Sequence, residues 1–101
     1  MSIETIFSED KSVLVVGIKG KFDFTLLNEF RQVYNNDAAK SAKVTIDMRD
    51  TSTIDSSALG MLLNMQRFLK KKDGAISIIN CNQDVKKIFQ ITHFGRKFTI
   101  E

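Results

Sequence analysis

Proline and tryptophan are absent from this 101-residue chain, and cysteine, histidine and tyrosine occur once each. A single cysteine, Cys81, excludes an internal disulfide and a multi-cysteine metal site. It reads as a small buried hydrophobe at a strand end, in keeping with a reducing compartment. No stretch approaches the ~18 apolar residues that a membrane span needs. The start, MSIETIFSEDK, carries an acidic Glu4 and lacks the basic opening and apolar run of a signal peptide. These absences point to a cytoplasmic protein with no membrane partner and no metal.

Catalytic equipment is equally sparse. A nucleophilic serine needs a base within hydrogen-bond reach and a group to orient that base. The lone His93 sits near the chain's end beside Phe94, and no G-x-S-x-G elbow surrounds any serine. His93 reads as a core or surface residue. There is no glycine-rich phosphate loop. The chain is therefore expected not to be an enzyme and to need no cofactor.

The formal charge of +3 is too small to imply nucleic acid by itself. Lys19, Lys21, Lys86, Lys87, Arg96 and Lys97 are scattered along the chain. Only Lys70-Lys71-Lys72 forms a run, at the expected end of a helix, where cations favour the negative dipole end. No aromatic residue interleaves with these lysines to stack on bases.

What remains is an ordinary composition, 43% hydrophobic and 27% charged, enough for one domain over residues 1–101. Ile3 to Phe7 reads as a strand and Ser8 to Ser12 as a tight turn. Val13 to Ile18 is a β-branched run that fits a strand covered on both faces. The two form an expected antiparallel hairpin. Gly20-Lys21-Phe22-Asp23 breaks the second strand, and Thr25 is placed to cap a helix carrying Leu26, Leu27, Phe30, Val33 and Tyr34. Asn35, Asn36 and Asp37 end it. Val44, Ile46 and Met48 alternate with polar residues as a third strand. A helix runs from about Ser56 to Lys72, stopped by Asp73-Gly74 with Gly74 left-handed. Ala75 to Ile79 is a fourth strand, Gln83 to about Thr92 a third helix, and Phe98-Thr99-Ile100 a terminal strand. The order β-β-α-β-α-β-α predicts an α/β fold with right-handed crossovers. Its sheet is mixed but mostly parallel, four- to five-stranded, with the hairpin at one edge and about three packed helices.

Two features carry chemical interest. Asp55-Ser56-Ser57 opens the second long helix, and at most one of the three is the N-cap. A surplus hydroxyl then falls in the first turn, near free N–H groups and the positive dipole end. Simple capping also explains the triplet. Second, Asp23 and Asp55 both follow strands. If those strands are parallel neighbours, both carboxylates reach the carboxyl edge of the sheet, where open α/β sheets place their sites. The helix after Ser56 has a broad apolar arc. Either it is fully sandwiched, or Met61 and Leu59 face out toward a partner, a use for which methionine is suited.

Val44-Thr-Ile-Asp-Met, followed by Ile54-Asp55-Ser56-Ser57-Ala58-Leu59-Gly60, resembles the signature of STAS domains. More narrowly, it resembles bacterial anti-anti-sigma factors, also called anti-sigma factor antagonists. Gly20-Lys21-Phe22-Asp23 and Val85 to Phe94 extend the likeness over nearly the whole chain. The resemblance implies a partner-switching phosphoprotein. Ser57 is the implied phosphorylation site, with Ser56 the second candidate. The phosphate comes from ATP held by an anti-sigma factor with serine kinase activity, and a PP2C-type phosphatase removes it. The unphosphorylated form binds the anti-sigma factor and frees a sigma factor. Asp23, Phe24, Asp55, Ser56, Ser57, Ala58, Leu59 and Met61 form the implied partner surface, on a protein expected to be monomeric when free. The alternative is a non-switching subunit of a lipid-transport or stressosome-like complex. Ala58 stands where the family usually has glycine, and its methyl is a candidate obstruction to a kinase.

Overall fold

The computed structural model describes residues 2–101. Five strands, β1 (Ile3–Phe7), β2 (Val13–Ile18), β4 (Lys43–Asp47), β6 (Ser77–Ile79) and β7 (Thr99–Ile100), form one sheet in that order. β1 and β2 pair antiparallel as the expected hairpin, while β2 with β4, β4 with β6 and β6 with β7 pair parallel. The hairpin turn is tied by Asp10, whose Oδ1 accepts from Ser8 Oγ at 2.8 Å, Ser12 Oγ at 2.7 Å and Ser12 N at 3.0 Å. Those bonds, Ser12 first, hold the Asp10 carboxyl down to about 2.

β2 is buried on one face only. Leu14, Val16 and Ile18 are sealed into the core, whereas Val13, Val15 and Gly17 on the opposite face are half-buried. The β-branched run therefore marks strand preference rather than cover on both faces.

Four helices pack into the same core: α1 (Leu27–Tyr34), α2 (Asp37–Ser41), α3 (Ser56–Phe68) and α4 (Gln83–Ile91). α2 is unexpected, because Asn35-Asn36-Asp37 reads as a stop. It also starts a helix: Asn36 Oδ1 accepts from Ala39 N at 2.8 Å. A chain of rings, Phe22–Phe30–Tyr34–Phe68, runs from the segment before α1, through α1, to α3 at centroid spacings of 5.2, 5.7 and 5.4 Å.

A second, two-stranded parallel sheet positions the site. β3 (Gly20–Phe22) pairs with β5 (Thr51–Ile54), two segments that read in sequence as a break and a loop. Both are short and largely polar, so neither shows a hydrophobic period. The ladder is anchored by tertiary bonds instead. Thr51, buried, donates its hydroxyl to Ile18 O at 2.7 Å, and Gly20 N donates to Asp50 O at 2.9 Å. Gly20 takes φ +79°, a turn few other residues would accept.

Candidate functional site

Phe22 and Ile54 are register partners at the ends of β3 and β5. The next residue of each strand is an aspartate, so Asp23 and Asp55 emerge side by side at one sheet edge; the condition that their strands be parallel neighbours is met, by two short strands that the sequence pattern did not mark. Each caps the helical turn that comes after it. Asp23 Oδ1 accepts from Thr25 N at 3.0 Å and from the Thr25 hydroxyl, starting a single 3₁₀ turn, Phe24–Leu26, that leads into α1. Asp23 is thus the cap, and Thr25 is its donor rather than the cap itself.

Asp55 is the N-cap of α3. Its Oδ1 accepts from Ala58 N at 3.0 Å, the bond expected of a cap to the third helical residue. The same oxygen accepts from Ser57 Oγ at 2.6 Å. These bonds, the Ser57 hydroxyl first and the Ala58 amide second, hold the Asp55 carboxyl below its ordinary value. Ser56 occupies the first helical position and is exposed, while Ser57 occupies the second and is half-buried. The surplus hydroxyl is therefore Ser57, fixed by the cap carboxylate at the positive end of a 13-residue helix.

Among the eight residues of the implied surface, six reach solvent at least in part: Asp23, Phe24, Asp55, Ser56, Ser57 and Leu59. Phe24 is 67% exposed, an unusual setting for a large ring. Two are corrected by the structure. Met61 is only 5% exposed and packs in the core with Leu62 and Met65, so it does not face outward as the partner reading required. The broad apolar arc of α3 is explained by burial on a wide front. Ala58 has no exposed surface, so its methyl fills the core and obstructs nothing outside. Gly60, exposed two residues after Ala58, was not singled out and lies on the same end of α3.

Asn82 was also missed. It caps α4 through Val85 N at 2.8 Å and donates to Thr51 O at 3.2 Å and Ser52 O at 3.1 Å. It thereby bolts α4 to the strand that delivers Asp55. Only a three-dimensional pairing reveals this; in sequence it is one more helix cap. Among the described residues, Asp55 is the side-chain partner of Ser57, and no histidine bonds it. His93 ends α4 in the left-handed region at φ +56° and is exposed. Cys81 is half-buried, and burial pushes its thiol up, away from the reactive thiolate. No described helix is long and apolar enough to cross a membrane.

Comparison with known proteins agrees with this fold. The STAS domain family matches residues 5–101. A STAS-domain containing protein of Pseudomonas aeruginosa is 36% identical over 100 residues, covering 99% of both chains. The anti-sigma-B factor antagonist of Bacillus subtilis is 25% identical over 92 residues, 91% of this chain and 84% of that one. In structure, the chain resembles the anti-sigma factor antagonist SpoIIAA in its unphosphorylated form, at a TM-score of 0.68, 16% identity and coverage of 98% and 86%. It resembles the phosphorylated form of the Bacillus SpoIIAA at 0.66, 18% identity and coverage of 98% and 90%. Matched by the family over residues 5–101 and by a relative 36% identical along nearly its whole length, the chain belongs to the STAS domain family.

Proposed function

We propose that this chain is an anti-sigma factor antagonist that works by partner switching, with Ser57 as the phosphorylated residue. The observation that carries this reading is the Ser57 hydroxyl, bonded at 2.6 Å to Asp55 on the first turn of α3 and beside the Asp23 strand end. Its proton is held by the cap, which leaves the oxygen lone pairs open to an incoming phosphoryl group. In the transfer, the serine oxygen bonds the γ-phosphorus of ATP held by the partner kinase. The bridging P–O bond breaks, ADP leaves, and the hydroxyl proton is given up to an acceptor. A PP2C-type phosphatase reverses the modification. This chain supplies the substrate and is not itself the catalyst.

The switch acts on the interface. A phosphoserine adds about −1.5 to −2 charge. The positive end of α3 offsets roughly 0.3–1 kcal/mol of this, ~2 at most, while Asp55 and Asp23 oppose it. These local effects nearly cancel, so the fold is kept. At a buried interface the same charge must be stripped of water, which costs several kcal/mol without a matched partner. The interface effect is larger, and phosphorylation releases the anti-sigma factor. Exposed Phe24 supplies the aromatic anchor that such interfaces concentrate.

Incubation with ATP and the kinase partner, followed by intact-mass measurement, tests the reading. One phosphate is expected on the natural chain and none on Ser57→Ala. A stable complex with no phosphate gained would instead make the chain a constitutive scaffold subunit and overturn the proposal.

A further inference from the structure

At the other end of α3, the chain turns through a Schellman motif: Lys71 N donates to Gln66 O at 3.1 Å and Lys70 N to Arg67 O at 3.2 Å. Lys70 takes φ +54° there, a position that glycine fills at lower cost. Around it lies a groove of about 400 Å³ lined by Leu63, Gln66, Arg67, Lys70, Lys71, Asp73 and Lys97. The lining holds four cations and one carboxylate, and exposed Lys72, next in the chain, adds a fifth cation beside it, a local charge of +4. The whole chain carries +3, so everything outside this patch sums to −1. The positive excess of the protein is concentrated here.

Part of this charge is used internally. Lys71 Nζ donates to the carbonyls of Lys40 at 3.1 Å and Ala42 at 2.7 Å. Asp73 takes Gln66 Nε2 at 3.1 Å and Lys97 Nζ at 3.6 Å. Among the described residues, Arg67, Lys70 and Lys72 meet no carboxylate. Stabilising the helix end needs one cation in the last turn, which Arg67 already supplies. The helix end itself carries about half a negative charge, far less than the surplus around it.

We infer that this groove is a second docking surface, which takes an acidic, extended segment of a partner protein. Leu63, half-buried, offers the groove one apolar contact for a side chain of that segment. A flat anionic bilayer reaches only the rim of a concave site. Nucleic acid finds no ring in the groove lining to stack on, and nearby Phe68, 43% exposed, already packs against Tyr34 at 5.4 Å and carries Lys40 Nζ at 5.3 Å. Thirteen helical residues put Ser57 roughly 20 Å away, more than two Debye lengths of ~8 Å at physiological salt. A segment held here therefore stays bound whichever state Ser57 is in; this last point alone rests on the proposed phosphorylation.

The test uses a fluorescent glutamate-rich decapeptide with one central leucine, titrated into the full chain at low and physiological salt, with amide shifts followed by NMR. Shifts are expected over residues 63–73 and at Lys97. The double variant Lys70→Glu/Lys72→Glu is expected to bind tenfold more weakly or worse, and the control Lys86→Glu/Lys87→Glu to bind as the natural chain does. Lys70→Gly relieves the left-handed position, so it is expected to melt no lower while still losing affinity. Shifts scattered over the surface, or equal losses in the control, would overturn the proposal. So would tighter binding through the same residues by single-stranded oligonucleotide or by phosphatidylglycerol vesicles. Ser57→Asp is expected to leave the peptide affinity unchanged. A drop there alone would overturn the independence of the two ends and leave the groove standing.

Discussion

The two ends of α3 face the same physical difficulty and meet it by opposite means. Both leave backbone groups without helical partners. At the N-terminal end a single side chain, Asp55, takes one amide and one hydroxyl, and the surroundings are acidic. At the C-terminal end the backbone closes on itself through Lys70 and Lys71, and of the five charged side chains that line the groove there four are basic. One end commits its charge to a hydroxyl and the other leaves its charge for solvent or a partner. The lesson is that a cap made by a side chain can be switched by modifying its donor, whereas a cap made by the backbone cannot.

The sharpest way to break this comparison is Ser57→Asp. A carboxylate at the second helical position keeps the favourable dipole but cannot donate to Asp55. Binding to the proposed anti-sigma factor partner is expected to weaken about a hundredfold, near 2.8 kcal/mol, measured by calorimetry. An unchanged affinity would mean that charge at this end does not govern the partner.

A smaller effect is expected from removing the cap. Asp55→Ala loses the bond to Ala58 N and leaves the Ser57 hydroxyl unheld. The cost is about 1–2 kcal/mol, or a fall in Tm of roughly 4–8 °C per kcal/mol for a domain this size. Arg67→Ala at the opposite end, where the backbone does the capping, is expected to stay within about 0.5 kcal/mol. Equal losses in thermal melts would erase the distinction between the two ends.

The same contrast explains what was legible in the sequence. Hairpin, parallel order and the Asp-Ser-Ser start of α3 follow from β-branched runs, helical spacing and cap chemistry, all of which are local. Register is not local. β3 and β5 are three and four residues long, and their pairing depends on Thr51 reaching the Ile18 carbonyl 33 positions away. The adjacency of Asp23 and Asp55 was therefore conditional until the ladder was seen. Met61 was misjudged because a helical wheel shows the width of an apolar arc but not how much of it the core accepts. The end of α3 was placed too late because a lysine in the left-handed region carries no glycine to announce it.

The smallest expected effect is in acid. The Asp55 carboxyl lies below its ordinary value because it accepts from Ser57 and then from Ala58. A group depressed in the folded state stabilises the protein fully above the unfolded value, ~3.9, and loses that contribution as pH falls through the lower, folded value. At neutral pH the contribution is constant, so mild pH change does not work this end of the helix. Asp10 in the hairpin, held at about 2, adds its own dependence in the same direction. Wild-type melts alone therefore cannot isolate Asp55. The decisive readout is carboxyl NMR titration of the natural chain against Ser57→Ala. Removing the largest cause of the shift is expected to raise the Asp55 pKa toward the ordinary value and leave Asp10 where it was. If Asp55 titrates identically in both, the hydroxyl is not held by the cap, and the N-terminal end of α3 loses the feature that sets it apart from the other.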